Sequence, residues 1–193
     1  MSITIEPPEF VFPDKLLFSR DTNFHEYKDD CIEWMRQYSF KHSTWSKSNC
    51  GGYQSPDNFY LEESFTPLLN RISEHIVATK KEYCKDTVLE WDKLRLCNMW
   101  FNFNYQNAYN VMHVHPGCIL SGVIWIQVPD DTTPIDFECM DGFARAMLED
   151  CTNEQFLAKE GEMYMFPAHL PHCVGINRSE HTRISLSFNI ISA

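Results

Sequence analysis

No run of about 18 consecutive apolar residues occurs in this 193-residue chain, and a run of that length is what a bilayer-spanning helix needs. The opening residues, Met1-Ser2-Ile3-Thr4-Ile5-Glu6, lack the basic stretch and apolar core of a secretory leader. A cytoplasmic protein with no membrane partner is therefore expected. Basic charge is scarce: 16 Lys and Arg stand against 27 Asp and Glu, a formal net charge of −11. That balance disfavours a nucleic-acid partner, because phosphate binding needs clustered cations. The eight cysteines (31, 50, 84, 97, 118, 139, 151 and 173) include no Cys-x-x-Cys pair, which removes the usual zinc-knuckle and dithiol motifs. Their scatter reads as reduced thiols, with Cys118 and Cys173 expected in core packing. No internal repeat or low-complexity tract is present.

What the chain does have is apolar and aromatic content, 44% and 14% of residues, enough to exclude disorder. Its length fits one domain over 1–193, with helical support in 1–90 and a β core in 91–193. Three prolines among residues 1–20 suggest an extended arm or edge strand. Asp21 or Thr22 is placed to cap a helix to about Tyr38, with Tyr27, Cys31, Trp34, Met35 and Tyr38 on one face. The Ser-, Gly- and Asn-rich stretch 42–58 reads as a loop that could border a pocket. A second helix starts at Glu63 or Ser64, with Pro67 in its first turn and an apolar stripe through Phe65, Leu68, Ile72 and Ile76. Strands follow from Lys93, with Leu94, Leu96, Asn98, Trp100, Asn102 and Asn104 on one face. A long apolar strand spans Ile119–Gln127, from which Ser121, Trp125 and Gln127 are expected to point inward. Another strand lies near Pro134–Cys139, and residues 140–158 read as a lid.

The chemistry concentrates between Asn110 and Arg183. Residues two apart on a strand face the same way, with Cα atoms roughly 6.5 Å apart, so His113 and His115 can lean toward one metal ion. A Gly-x5-Pro-x4-His stretch ending at His172 offers a third imidazole from another strand. The final strand alternates Arg183, Ser185, Ser187 and Asn189 against Ile184, Leu186, Phe188 and Ile190. A guanidinium on the polar stripe, inside a pocket, calls for an anion such as a carboxylate. His25, His42, His75, His169 and His181 read instead as structural or surface histidines.

Several segments together resemble one family. They are Met99-Trp100-Phe101-Asn102, Asn110-x-x-His113-x-His115-Pro116, Leu120-Ser121-Gly122-Val123, Gly161-x4-Phe166-Pro167-x4-His172-x-Val174 and Arg183-Ile184-Ser185-x-Ser187-Phe188-Asn189. They look like the branch of the 2-oxoglutarate and Fe(II)-dependent oxygenases found in marine bacteria and their phages. Gly51-Gly52-Tyr53-Gln54-Ser55 is similar to that branch's Gly-Gly-Trp-Gln-Ser segment, so the resemblance covers roughly residues 50 to 190.

The resemblance implies a mostly β fold: a double-stranded β-helix, a jelly-roll or cupin-like barrel, with N-terminal helices packed outside. It implies Fe(II) held by His113 and His172, and 2-oxoglutarate gripped by Arg183 with help from Ser185. Asn102, Asn104 and Trp125 are further candidates for contacts to the co-substrate. His115 stands where the wider superfamily has a carboxylate. Three arrangements stay open: three His ligands, two His with His115 behind them, or a carboxylate from Asp130, Asp131, Asp136 or Glu138. The shared strand favours His115 as third ligand. The implied activity is a dioxygenase that hydroxylates a small-molecule or peptide substrate with O2, releasing succinate and CO2. Trp100, Trp125, Tyr164 and Phe166 would shield the reacting centre. A cupin-type metalloenzyme without 2-oxoglutarate, and a non-catalytic barrel binding a small acid or sugar, are the rival readings. The aromatic-rich N-terminal third could supply a homodimer surface.

Overall fold

Strict alternation along the last strand makes it the middle of the larger sheet. In the computed structural model, residues 2–11, 14–45, 47–138 and 153–193 are described. In chain order the elements are β1 (Ile3–Ile5), β2 (Glu9–Val11), β3 (Asp14–Asp21), α1 (Lys28–Lys41), β4 (Asn49–Cys50), β5 (Tyr53–Gln54), α2 (Thr66–Cys84) and β6 (Leu94–Asn104). They continue with β7 (Tyr109–His113), β8 (Leu120–Gln127), β9 (Ile135–Phe137), β10 (Glu154–Phe156), β11 (Glu162–Pro167), β12 (His172–Val174) and β13 (Arg183–Ser192). The larger sheet runs β1-β3-β11-β8-β13-β6-β5 with β2 beside β3, and the smaller runs β10-β9-β12-β7-β4. Within both sheets the paired strands are antiparallel. The two sheets face each other as a double-stranded β-helix. Among the described residues no strand pairing closes them into a continuous barrel.

Alternation divides the apolar residues between two cores. Ile184, Leu186, Phe188 and Ile190 of β13 join Met99, Phe101 and Phe103 of β6 and the buried faces of both helices, so α1 and α2 cover the outside of the larger sheet. Between the sheets, Leu16, Val123, Trp125, Ile135, Phe137, Tyr164 and Phe166 form the second core. Gly122 is required by the first of these. A Cβ there would stand 2.3 Å from the Phe188 ring, which lies over it from the paired strand.

Three expectations are corrected. The first helix begins later than Asp21 or Thr22: a short 3-10 turn at Phe24–Glu26 precedes α1. Asp21 instead accepts hydrogen bonds from the Asn23 amide at 2.9 Å and the Tyr27 hydroxyl at 2.8 Å. The stretch 42–58 is not all loop, since β4 pairs with β7 and β5 with β6, and the segment before residue 90 thus adds strands to both sheets. The alternation along β6 also breaks. Asn189 pairs with Asn98 but Ile190 with Leu96, so Cys97 is an extra residue, and Leu94 and Leu96 lie with Phe101 on the helix side. Of the expected lid, residues 140–152 lie outside the described residues, and β10 occupies part of the remainder.

His75 ties α2 to β3. Its Nε2 is 2.9 Å from Ser19 Oγ, which lies 2.6 Å from Thr79 Oγ1, and all three side chains are buried. Burial pushes its pKa down from 6.5 to about 4, against a smaller opposing pull from Asp21. Between those two values the unfolded chain binds a proton that the folded chain refuses. Stability contributed by neutral His75 is therefore complete above pH 6.5 and is lost as pH falls toward 4. Urea titrations of the parent and His75→Gln should show the parent losing more stability over that window, by on the order of 3 kcal/mol. Parallel pH profiles would refute this.

Candidate metal centre

Pairing of β12 with β7 sets His172 directly opposite His113. The same ladder carries an irregularity: two residues of β12, from His172 to Val174, span three of β7, from His113 back to Asn110. The extra residue turns buried Asn110 inward with His113 and leaves Val111 and Met112 exposed, an inversion that period-two reading misses. His115 lies just beyond β7, its amide donating to the Ala168 carbonyl at 2.8 Å. Its Nε2 is 3.2 Å from that of His172. Ring centroids are 4.3 Å apart for His113 and His172, 5.0 Å for His113 and His115, and 5.1 Å for His115 and His172.

One nitrogen from each of the three rings lies within 4.8 Å of the others. The Nδ1 atoms of His113 and His172 sit 2.8 Å and 2.9 Å from the carbonyls of Val111 and Leu170. A carbonyl can only accept, so these bonds put the proton on Nδ1 and leave the Nε2 lone pair for a metal. Desolvation lowers the pKa of all three rings: His115 falls to about 3, helped by the charges of His113 and Lys47, and His172 falls well below 6.5. The rings are thus held neutral, the form that binds metals. Among the described residues no carboxylate joins this cluster. Asp130 and Asp131 are exposed, and Asp136 sits across from Cys173, on the opposite face from the paired His172 and Phe137.

The rings stand between two spaces. A narrow inner cavity of about 30 Å³ is lined by Asn102, Asn110, Ser121, Ser185 and Ser187. An outer cavity of about 440 Å³ opens beyond them and shares Ser48, Trp100, His113 and His115 with the inner one.

Arg183 starts the same β13 stripe as Ser185 and is 0% exposed. Its Nη2 donates to the Gly175 carbonyl at 2.9 Å, and its Nη1 reaches the Thr132 and Thr133 hydroxyls at 3.2 Å and 3.3 Å. The buried Nε has no hydrogen-bond partner. Burial alone moves its pKa down from 12.5 to about 10, leaving a cation at neutral pH whose partners among the described residues are neutral oxygens. Among the described residues no carboxylate pairs with it. Buried charge is costly without a counter-ion, and among the described residues this guanidinium has none.

The remaining sequence candidates have definite places. Asn102 lines the inner cavity and accepts from Asn49 Nδ2 at 3.3 Å. Asn104 donates to Asn110, which donates to Ser48, one step behind the cavity wall. Trp125 pairs with Ser185 across the strands but belongs to the intersheet core, its buried Nε1 unpartnered. Trp100 and Phe166 line the inner cavity and Tyr164 does not. Gln127 donates to the Thr182 carbonyl and lines neither cavity. Cys118 and Cys173 are not core residues: both are half-buried, Cys118 lining the outer cavity and Cys173 facing Asp136. Sequence reasoning did not select Asn49, Ser48, Lys47 or Asn98 for the site. The Asn and Ser content of residues 42–58 was the available signal.

The architecture is a double-stranded β-helix with an imidazole cluster between its sheets that could hold a metal ion. Residues 98–189, from β6 through most of β13, match the family model described as "Putative 2OG-Fe(II) oxygenase". This segment, 92 of the 193 residues, is similar to the 2-oxoglutarate and Fe(II)-dependent oxygenases. In fold the chain is similar to a Pseudomonas putida prolyl-4-hydroxylase at 14% identity, covering 91% of this chain and 92% of that one, with a TM-score of 0.62. It is similar to the alpha ketoglutarate dependent epimerase SnoN of nogalamycin biosynthesis at 14% identity, with coverage of 93% and 78% and a TM-score of 0.68. The viral collagen prolyl hydroxylase of Paramecium Bursaria Chlorella virus-1, solved with 2OG, shares 12% identity over 91% and 96%, with a TM-score of 0.57. No curated protein sequence matches the chain. Among the described residues no helix is long and apolar enough to cross a membrane.

The missing anion at Arg183 gives a direct expectation. Succinate at about 100 times its dissociation constant should stabilise the parent by roughly 2.7 kcal/mol, seen as a rise in thermal midpoint of about 5–10 °C. Arg183→Met should abolish the rise; an equal shift in both proteins would show that the diacid binds elsewhere.

Proposed function

We propose that the chain is an Fe(II)- and 2-oxoglutarate-dependent dioxygenase that hydroxylates its substrate with O2 and releases succinate and CO2. One observation carries the reading: three neutral imidazoles converge on one point, and a buried guanidinium with no counter-anion among the described residues starts the β13 stripe that sends Ser185 into the same inner cavity.

His113, His115 and His172 would hold the iron, and Arg183 with Ser185 would take the distal carboxylate of 2-oxoglutarate. Three neutral ligands leave the full 2+ charge of the metal, so a dianionic co-substrate is the electrostatic complement of the site. Bound together, iron and 2-oxoglutarate supply the oxidising chemistry; the protein supplies orientation and shielding. The Thr132 and Thr133 hydroxyls now beside Arg183 are neutral acceptors, and a carboxylate would displace them through hydrogen bonds roughly twice as strong. Asn102 supplies a polar wall to the inner cavity, with Asn104 holding Asn110 in place, and Trp125 backs Ser185. Trp100 and Phe166 limit water at the centre. The outer cavity is left for the substrate, a small molecule or a peptide.

Anaerobic addition of Fe(II) and 2-oxoglutarate should give a weak visible charge-transfer band. His172→Ala should abolish the band, and Arg183→Ala should weaken 2-oxoglutarate binding more than tenfold, about 1.4 kcal/mol. Variants that behave like the parent would remove both assignments. Metal binding with no affinity for 2-oxoglutarate would favour a cupin-type enzyme instead.

A further inference from the structure

The outer cavity holds an amide chain whose direction is fixed at one end. Asp57 Oδ2 accepts from Lys47 Nζ and from Asn98 Nδ2, each at 3.2 Å. A carboxylate only accepts, so Asn98 must turn its NH2 toward Asp57 and its carbonyl toward Asn189. Asn189 Nδ2 donates to that carbonyl at 2.9 Å. The Asn189 carbonyl oxygen is left over, buried and without a partner among the described residues. The polarity of this side chain therefore follows from Asp57, two hydrogen bonds away.

Gln54 is the second anomaly. Its main chain is held by Thr44, whose hydroxyl accepts from the Gln54 amide at 2.9 Å, and by the Trp45 amide, which donates to its carbonyl at 2.8 Å. Its side chain is only 2% exposed as a residue, yet Oε1 is buried without a partner, and among the described residues the carboxamide makes no hydrogen bond. Gln54 and Asn189 both line the outer cavity. Burying polar groups unpaired is costly and rare, so two such groups around one cavity mark a ligand position.

Their chemistry specifies the ligand. A carbonyl acceptor and a whole carboxamide are together the complement of another amide, which donates through N–H and accepts through C=O. Trp100, Val111, Val114 and Pro116 supply apolar wall around the polar pair. Resting on the oxygenase reading for the position of the reacting centre, we propose that the outer cavity binds substrate through an amide group beside an apolar body, with Gln54 and Asn189 as specificity-determining residues. The amide could come from a polypeptide or a small carboxamide. The exposed Tyr109, Val111 and Met112 of β7 extend an apolar surface along which a peptide would continue.

The test uses the full chain, with and without Zn(II), titrated by NMR with N-methyl-3-phenylpropanamide and with its ester counterpart, methyl 3-phenylpropanoate. The amide should bind at least tenfold tighter than the ester and shift the Gln54 side-chain NH2 resonances. Gln54→Met should reduce the preference below threefold. Gln54→Leu, which likewise removes the carbonyl acceptor for the ligand N–H, should reduce it too and serves if the first variant fails to fold. Equal affinity of the parent for amide and ester, or a preference unchanged in both variants, would overturn the proposal. A capped Ala-Ala-Phe-Ala-Ala peptide binding tenfold tighter than the small amide would identify a polypeptide source, and equal affinity a small carboxamide. Normal Fe(II) and 2-oxoglutarate binding without amide preference overturns this assignment alone. Amide preference without Fe(II) binding supports it and overturns the oxygenase reading.

Discussion

The site depends on one cross-strand pairing, β12 against β7 with His172 opposite His113. Antiparallel partners on one face stand close enough for their side chains to touch, and here the touching groups are imidazoles whose far nitrogens are tied to the main chain. A slip of one residue would send each ring to the other side of the sheet. The apolar residues of the same ladder resist that slip. Phe137 pairs with His172 and Ile135 with Val174, and both are buried in the intersheet core, so losing the register would also expose that core.

Electrostatics in the site run against the charge of the chain as a whole. The net formal charge is −11, yet the region between the sheets holds three neutral imidazoles and an uncompensated guanidinium. Aspartates nearest in sequence are directed away by strand alternation and by the exposed turn at Asp130 and Asp131. A carboxylate beside Arg183 would stabilise the resting fold, but it would compete with an acidic ligand for the same donors. Keeping the cation unpaired leaves its affinity for something that diffuses in, at a cost in stability that functional sites commonly carry.

Regular alternation was legible, and its interruptions were not. Arg183 and Ser185 could be placed against Ile184 and Leu186 because β13 keeps period two through its inner half. His113, His115 and His172 could be grouped from spacing and family resemblance. Asn110 could not be aimed, because a single extra residue in β7 inverts its face. Cys97 does the same in β6, so Leu94 and Leu96 were put on the wrong side. The two-residue strands β4 and β5 carry too few residues for a periodic signal, and their positions come from partners more than 45 residues away in sequence. Gln54 appeared only as part of a Gly-Gly-Tyr-Gln-Ser segment; that its amide would be buried unpaired depends on long-range packing.

Those interruptions are concentrated where the chemistry is. The pairings β1–β3, β3–β11, β8–β11 and β9–β12 run without a register shift. The shifts fall in β6–β13 at Cys97, in β8–β13 at Ile126, and in β7–β12 beside Val111 and Met112. Each adds one residue to a strand that lines the inner cavity, and each changes which side chain faces inward. In β7 the extra residue lets Asn110 and His113 share a face; in β6 it lets Asn98 join the polar stripe while Leu96 turns back to the helices. A sandwich with uninterrupted strands would take Leu94 and Leu96 out of the helix-side core and scatter these polar groups between its two faces. The irregularities therefore separate a packed intersheet space from one that can receive a metal, an acid and a third molecule.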